Sequence, residues 1–347
     1  MKPIRTLPDW PRGRFVPFEH TSEVLRDNPW SDPTERIVNV YLPPDYDPDG
    51  PRIPVIWYLA AYTNSGRTAS NWRGFVENIG ERADRLRAER KLGPVAIVAP
   101  DCFTSLGGNQ YVDSEAVGAY ASYIHRELIP AVEAAFRIGG SRERRAVVGK
   151  SSGGFGAIRF GMDFPEYWAA VGDQSGDCHF EVVLRNGFAE AAGVLARHGG
   201  DLNAFLKDFW STTNPRGSDF HTLMNICLAA TYDPQPIKEL RLPFDLETLE
   251  LDPHRWARWL AHDPIRRVAD RVDALRGLRA IYLDCGSQDQ YAIHFGMRLL
   301  ARTLEQHGID HHYEEFKGSH SGIDWRLDVS LPYLYRAIAP VKTTDPA

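Results

Sequence analysis

The chain has 347 residues, 43% of them apolar and 25% charged, close to a soluble globular average and unlike a disordered or fibrous chain. Forty Lys and Arg stand against 46 Asp and Glu, a net charge of −6, which provides no basic footprint for nucleic acid or an anionic membrane. No stretch approaches the roughly 20 consecutive apolar residues that span a bilayer.

The start, MKPIRTLPDWPRGRF, carries basic residues but no apolar signal-peptide core, so a cytoplasmic location is expected. Cys102, Cys178, Cys227 and Cys285 are scattered, with no CxxC pair. They are expected to be buried thiols, without a zinc site. Length alone suggests about two domains.

Arg14–Glu19 and Ile37–Leu42 read as opening strands. A turn rich in Asn, Pro, Ser and Asp separates them and predicts antiparallel pairing. Pro54–Ala60 (PVIWYLA) and Val95–Ala99 (VAIVA) are near-continuous apolar runs, the pattern of strands covered on both faces. From Ser114 to about Phe136, Val117, Tyr120, Ile124, Leu128 and Val132 form a helical stripe. Pro130 should kink that helix or tighten its end. Arg145–Val148 and Trp168–Gly172 are further strands, followed much later by Arg279–Leu283 and His312–Phe316. Between those last two lies the helical stretch Tyr291–His307, with Gly308 as its C′ residue. The alternation predicts a mostly parallel sheet of about eight strands with helices on both faces. Cys178 to His262 breaks the pattern. It is rich in Phe and Trp and holds no convincing strand, so it is expected to be a helical lid inserted into one domain spanning 1–347.

The strongest local signal is Val148-Gly149-Lys150-Ser151-Ser152-Gly153-Gly154, a G-x-S-x-G motif between an apolar strand and a helical stretch. That context is what a nucleophile elbow needs. The serine sits at a sharp turn where flanking side chains would clash, and glycines relieve the crowding. The lysine lies in the wrong frame for a phosphate-binding loop, which needs G-x-x-x-x-G-K-[ST].

A serine hydroxyl needs a histidine to take its proton and a carboxylate to orient that histidine. His320, in Gly318-Ser319-His320-Ser321-Gly322, follows the last strand and is the expected base. Asp289, past Gly286 in YLDCGSQDQ, is the expected acid. Asp284 at the strand end is its rival, and Asp173 and Asp177 are weaker substitutes. Acyl transfer also needs donors for an oxyanion. The backbone N–H groups of Ser152 and Tyr62 are the expected pair, with Ala61 next in line for the second. Gln110 and Tyr111, in a glycine-rich loop, are candidates for lining the substrate pocket.

Taken together, PVIWYLAAYTNSG, GGNQYVDS, VVGKSSGGFGA, YLDCGSQDQY and EEFKGSHSGIDWR resemble the putative-esterase (esterase D-like) family of α/β-hydrolases. The resemblance runs from about Ile37 to Ala339 and looks closest to bacterial enterochelin-esterase-like members. It implies an α/β-hydrolase fold, Ser151 as nucleophile, Asp289 as acid and His320 as base. It also implies oxyanion donors at Tyr62 and Ser152, no metal or other cofactor, and a small-molecule ester as partner. Two departures bear on substrate. Ala61 stands where many members have glycine, which requires a negative φ there. Tyr62-Thr63-Asn64-Ser65 replaces the L-T-C-T-like stretch of S-formylglutathione hydrolases and argues against that activity. The expected reaction is carboxylic-ester hydrolysis through an acyl-enzyme, with acyl transfer to a sugar or other alcohol as the alternative.

Overall fold

A computed structural model describes residues 9–340; the first eight residues, which open the stretch read above for a signal peptide, lie outside it. Eight strands form the main sheet: β1 Arg14–Thr21, β2 Glu35–Leu42, β3 Val55–Leu59, β4 Ala96–Ala99, β5 Arg145–Lys150, β6 Ala170–Gln174, β7 Ala280–Gly286 and β8 His312–Phe316. Their order is β1-β2-β4-β3-β5-β6-β7-β8. β1 pairs antiparallel with β2, and β2 with β4; every other pair is parallel. This is the α/β-hydrolase fold. Each expected strand is present, with Trp168–Gly172 displaced by two residues to Ala170–Gln174.

Helices of eight or more residues among those described are α1 Ile79–Ala88, α2 Ile129–Phe136, α3 Ser152–Asp163, α4 Phe188–Ala196, α5 Leu202–Ser211, α6 Gly217–Tyr232, α7 Pro253–Leu260, α8 Ile293–Gln306 and α9 Leu327–Ile338. Alternation along the strands sorts them onto two faces. Ile56, Ala146, Val148, Ala170 and Tyr282 share one core with Leu86 of α1 and Leu331 and Leu334 of α9. Val55, Trp57, Leu59, Val147 and Val171 pack into the other with Ile158 of α3 and Leu300 of α8. That second core also takes in Leu195, Phe205, Ile226 and Trp259, so the segment between β6 and β7 shares the apolar interior of the sheet. Apart from an isolated bridge between Phe244 and Leu251, this segment is helices and loops, as expected. No helix among the described residues is long and apolar enough to cross a membrane. All four cysteines are buried and unpaired.

The helix expected from Ser114 starts later. Asp113–Ser114 and Gly118–Ala119 pair as a small hairpin, and helix runs from Tyr120 with a π-helical stretch at Tyr123–Leu128. Pro130 sits in the first turn of α2, just past that stretch. It lacks an N–H and crowds the carbonyl four residues back, so a wider turn before it relieves the conflict. Gly308 ends α8 as expected, at φ 61°.

One buried histidine in this stretch ties stability to pH. His125 lies against Phe160, Phe164, Tyr167 and Trp168. Its Nε2 accepts from the Trp168 indole N–H at 2.9 Å, and its Nδ1 faces the Ala121 carbonyl at 2.8 Å. An indole only donates, so the ring must be the neutral Nδ1–H form. Burial pushes its pKa down to about 4. Unfolded, it titrates near 6.5, so from about pH 6.5 down to 4 the unfolded chain binds more protons and stability falls with pH. His262, pushed down to about 3 by burial, acts in the same direction. His125→Phe should therefore flatten this slope by up to about 1.4 kcal/mol per pH unit, read by urea unfolding between pH 4 and 7.

Candidate active site

β5 leads straight into α3 through Ser151, whose backbone is held at φ 56° and ψ −124°. The turn closes because two glycines leave no side chain in the way. A Cβ on Gly149 would lie 2.3 Å from the Gly153 carbonyl, and one on Gly153 would lie 2.1 Å from the Leu59 carbonyl oxygen. The Ser151 N–H donates to the Gln174 carbonyl at 2.9 Å, anchoring the turn to the end of β6. The strained dihedral is thus imposed by its surroundings. It leaves Ser151 in the wall of a cavity of about 770 Å³.

His320 lines the same cavity. Its Nδ1 lies 2.8 Å from Oδ2 of Asp289, and its ring meets Tyr291 edge-on at 4.9 Å between centroids. The carboxylate is itself held: Oδ1 accepts from the Tyr291 N–H at 2.9 Å, and Oδ2 faces the Cys285 thiol at 3.7 Å. The backbone N–H of His320 donates to Gln290 Oε1 at 3.0 Å. With Nδ1 turned to Asp289, Nε2 is the nitrogen left for chemistry. Among the described residues no hydrogen bond joins Ser151 Oγ to His320. Such contacts are often loose before substrate binds.

Asp284, the rival acid, is elsewhere. It lies on β7 beside Arg326, with its Oδ2 2.8 Å from Arg326 Nε and 2.8 Å from the Tyr282 hydroxyl. It is structural: the alternation of β7 turns it to the face covered by α9. Asp173 accepts from the Gly176 N–H at 2.7 Å and stays wholly buried. Asp177 does line the cavity.

Ala61 and Tyr62 follow β3 and line the cavity, whereas Ser152 is not part of its wall. Among the described residues, neither the Tyr62 N–H nor the Ser152 N–H has a protein acceptor, so both are available for an anion. The Tyr62 ring is pinned at its far end, where its hydroxyl donates to the Leu106 carbonyl at 2.7 Å. Gly107 and Gly108 make room for it: a Cβ on either would come within 3 Å of the ring. Ala61 avoids a positive φ; the loop reverses instead at Thr63, φ 66°.

Gln110 and Tyr111 are not part of the cavity wall, correcting the expectation that they line it. Their backbones run at φ 53° and 56° and carry both side chains inward. The Tyr111 hydroxyl donates to the Ala60 carbonyl at 2.7 Å, bracing the loop after β3. Gln110 donates through Nε2 to Asp177 Oδ2 at 3.1 Å. Part of the remaining wall comes from the segment between β6 and β7, through Val183, Leu184, Phe220, Met224, Asn225 and Leu228 and the polar Asn186, Glu190 and His221. Composition marked that segment as aromatic, but which of its side chains face the cavity depends on how its helices pack.

These positions lead to a testable contrast. Asp289→Asn should cut kcat about 10⁴-fold at nearly unchanged stability, because the amide no longer selects the useful histidine tautomer. Asp284→Asn should instead cost roughly 2 kcal/mol of stability, from a weakened charged hydrogen bond to Arg326, and retain most activity. Steady-state kinetics beside urea unfolding checks both; the opposite pattern would make Asp284 the acid.

Comparison with known proteins agrees with this architecture. Residues 33–331 match the family described as "Putative esterase". An esterase of Mycobacterium tuberculosis is 32% identical over 145 residues, which covers 40% of this chain and 28% of that protein. The chain thus matches less than a third of that relative's length. A ferulic acid esterase superposes with a TM-score of 0.62 at 19% identity, over 94% of this chain and 99% of its own. An S-formylglutathione hydrolase from Agrobacterium tumefaciens gives 0.57 at 18% identity, over 95% and 97%. At such identities the structural likeness concerns the fold. The profile match covers most of the sequence, and the chain belongs to the putative-esterase family of α/β-hydrolase fold.

Proposed function

We propose that this protein is a serine carboxylic-ester hydrolase acting through Ser151, His320 and Asp289. The observation that carries the reading is the 2.8 Å contact between His320 Nδ1 and Asp289 Oδ2, at a cavity whose wall also holds a serine in a strained strand-to-helix turn. In this reading His320 Nε2 takes the hydroxyl proton as Ser151 Oγ attacks the ester carbonyl. The N–H groups of Tyr62 and Ser152 receive the oxyanion, in a site where charge is poorly screened. The tetrahedral intermediate collapses, His320 returns the proton to the departing alcohol, and an acyl-enzyme remains. Water activated by the same imidazole then releases the acid.

The segment 178–262 serves as a lid of one α/β-hydrolase domain. Its support is the shared core and the wall residues named above. The apolar part of the wall, Val183, Leu184, Met224, Leu228 and Ile293, suits an ester with an apolar skeleton. Within the family, the motif resemblance favours the enterochelin-esterase-like members. Four unpaired thiols suit a reducing, cytoplasmic setting.

Ser151→Ala should abolish p-nitrophenyl acetate hydrolysis, by about 10⁶-fold in kcat, while the melting temperature stays near wild type. A fluorophosphonate probe should add its mass at Ser151 in the wild type and nowhere in the variant. Turnover retained by the variant would sink the assignment.

A further inference from the structure

One carboxylate in the cavity wall has no part in the mechanism above. Asp177 follows β6 and lines the cavity with Ser151 and His320 while being only 3% exposed. Its Oδ2 is held by Gln110 Nε2 at 3.1 Å. Among the described residues no donor reaches its Oδ1, which is therefore left to the cavity. A buried charge without a full set of partners is costly, and a donor on a bound molecule would offset that cost. Burial, the largest influence, pushes its carboxyl up to about 6, and above that pH it is a hydrogen-bond acceptor only.

A second group in the same wall is in the same state. Asn225 on α6 is 5% exposed and lines the cavity. Its Nδ2 donates to the His221 carbonyl at 2.9 Å, while its Oδ1 is buried with no hydrogen-bond partner among the described residues. Val183, Leu184, Met224, Leu228 and Ile293 supply the apolar part of the same wall. Two under-satisfied acceptors thus stand in one wall of mixed polar and apolar character, from opposite sides of the insertion boundary.

We propose that Asp177 and Asn225 form a specificity subsite for a hydrogen-bond donor on the ester, a hydroxyl or a protonated amine on an apolar skeleton, with Gln110 positioning the Asp177 carboxylate. This rests on the esterase reading above. A substrate with that donor satisfies groups that an apolar isostere leaves unpaired, so discrimination comes from the penalty on the isostere.

The test uses two pairs of esters that differ by a hydroxyl in place of a methyl, assayed at pH 8. On the acyl side, p-nitrophenyl 3-hydroxybutyrate is compared with p-nitrophenyl 3-methylbutyrate. On the alcohol side, 2-hydroxyethyl acetate is compared with propyl acetate. The wild type should favour the hydroxylated member of one pair by about tenfold or more in kcat/KM, and that pair identifies which half of the ester the subsite reads. Asp177→Asn and Asn225→Leu should each move that ratio toward one, and the ratio cancels any general effect on the chemical step. If Asp177→Asn fails to fold, Asn225→Leu decides alone. Ratios near one in both pairs, or a preference that survives substitution, overturn the subsite and leave the esterase reading standing. No turnover of any of the four esters by the wild type overturns the esterase reading, and the subsite with it.

Discussion

The candidate site depends on one close approach. Where β5 turns into α3, the backbones at Gly149 and Gly153 come so near that neither position tolerates a Cβ, and Gly153 also presses on the end of β3. That contact holds Ser151 at φ 56°, a conformation a serine adopts only when its surroundings over-determine it. It also sets the spacing between the loop after β3 and the start of α3. That approach brings the chain at Ser152 close to the end of β3, just before Tyr62. A larger residue at either glycine would separate the nucleophile from its candidate oxyanion donors as well as strain the turn.

The parallel sheet supplies the rest of the geometry. β3, β5, β6, β7 and β8 run side by side in one direction, so their following loops emerge at one edge, where α/β sheets gather their ligands. Tyr62, Ser151, Asp177, Asp289 and His320 each follow a different strand of this set. None is close to another of them along the chain except through that shared edge. The segment between β6 and β7 contributes side chains to the cavity wall. It is joined to the sheet by a common apolar core, and Arg267 and Arg271 reach back to Asp163 at the end of α3. The residues beyond the sheet's own elements bury apolar side chains in the same core as the sheet.

Polar placement shows where reading along the chain reached its limit. Asp284 and Asp289 sit five residues apart around the end of one strand, and both end in carboxylates. Their fates diverge because β7 alternates: Asp284 turns toward Arg326 under α9, and Asp289 lies past the strand, free to turn to the imidazole. Gln110 and Tyr111 show the converse. A glycine-rich loop suggested the pocket, but two successive positive φ values fold both side chains under it. Asp177 and Asn225 had no motif to mark them, since an under-satisfied polar group exists only once its surroundings are packed.

By itself the sequence determined the eight strands and their order, the helix before the last strand, the serine at a glycine-flanked turn, and a histidine and carboxylates in loops after late strands. These are local properties, set by sterics and by which residues must leave water. Only the tertiary structure decided which carboxylate meets His320, which loop residues face the cavity, and which side chains of the aromatic segment join its wall. Those outcomes depend on contacts between residues from different strands and loops, tens of positions apart, and no spacing along the chain encodes the direction in which a side chain is finally turned.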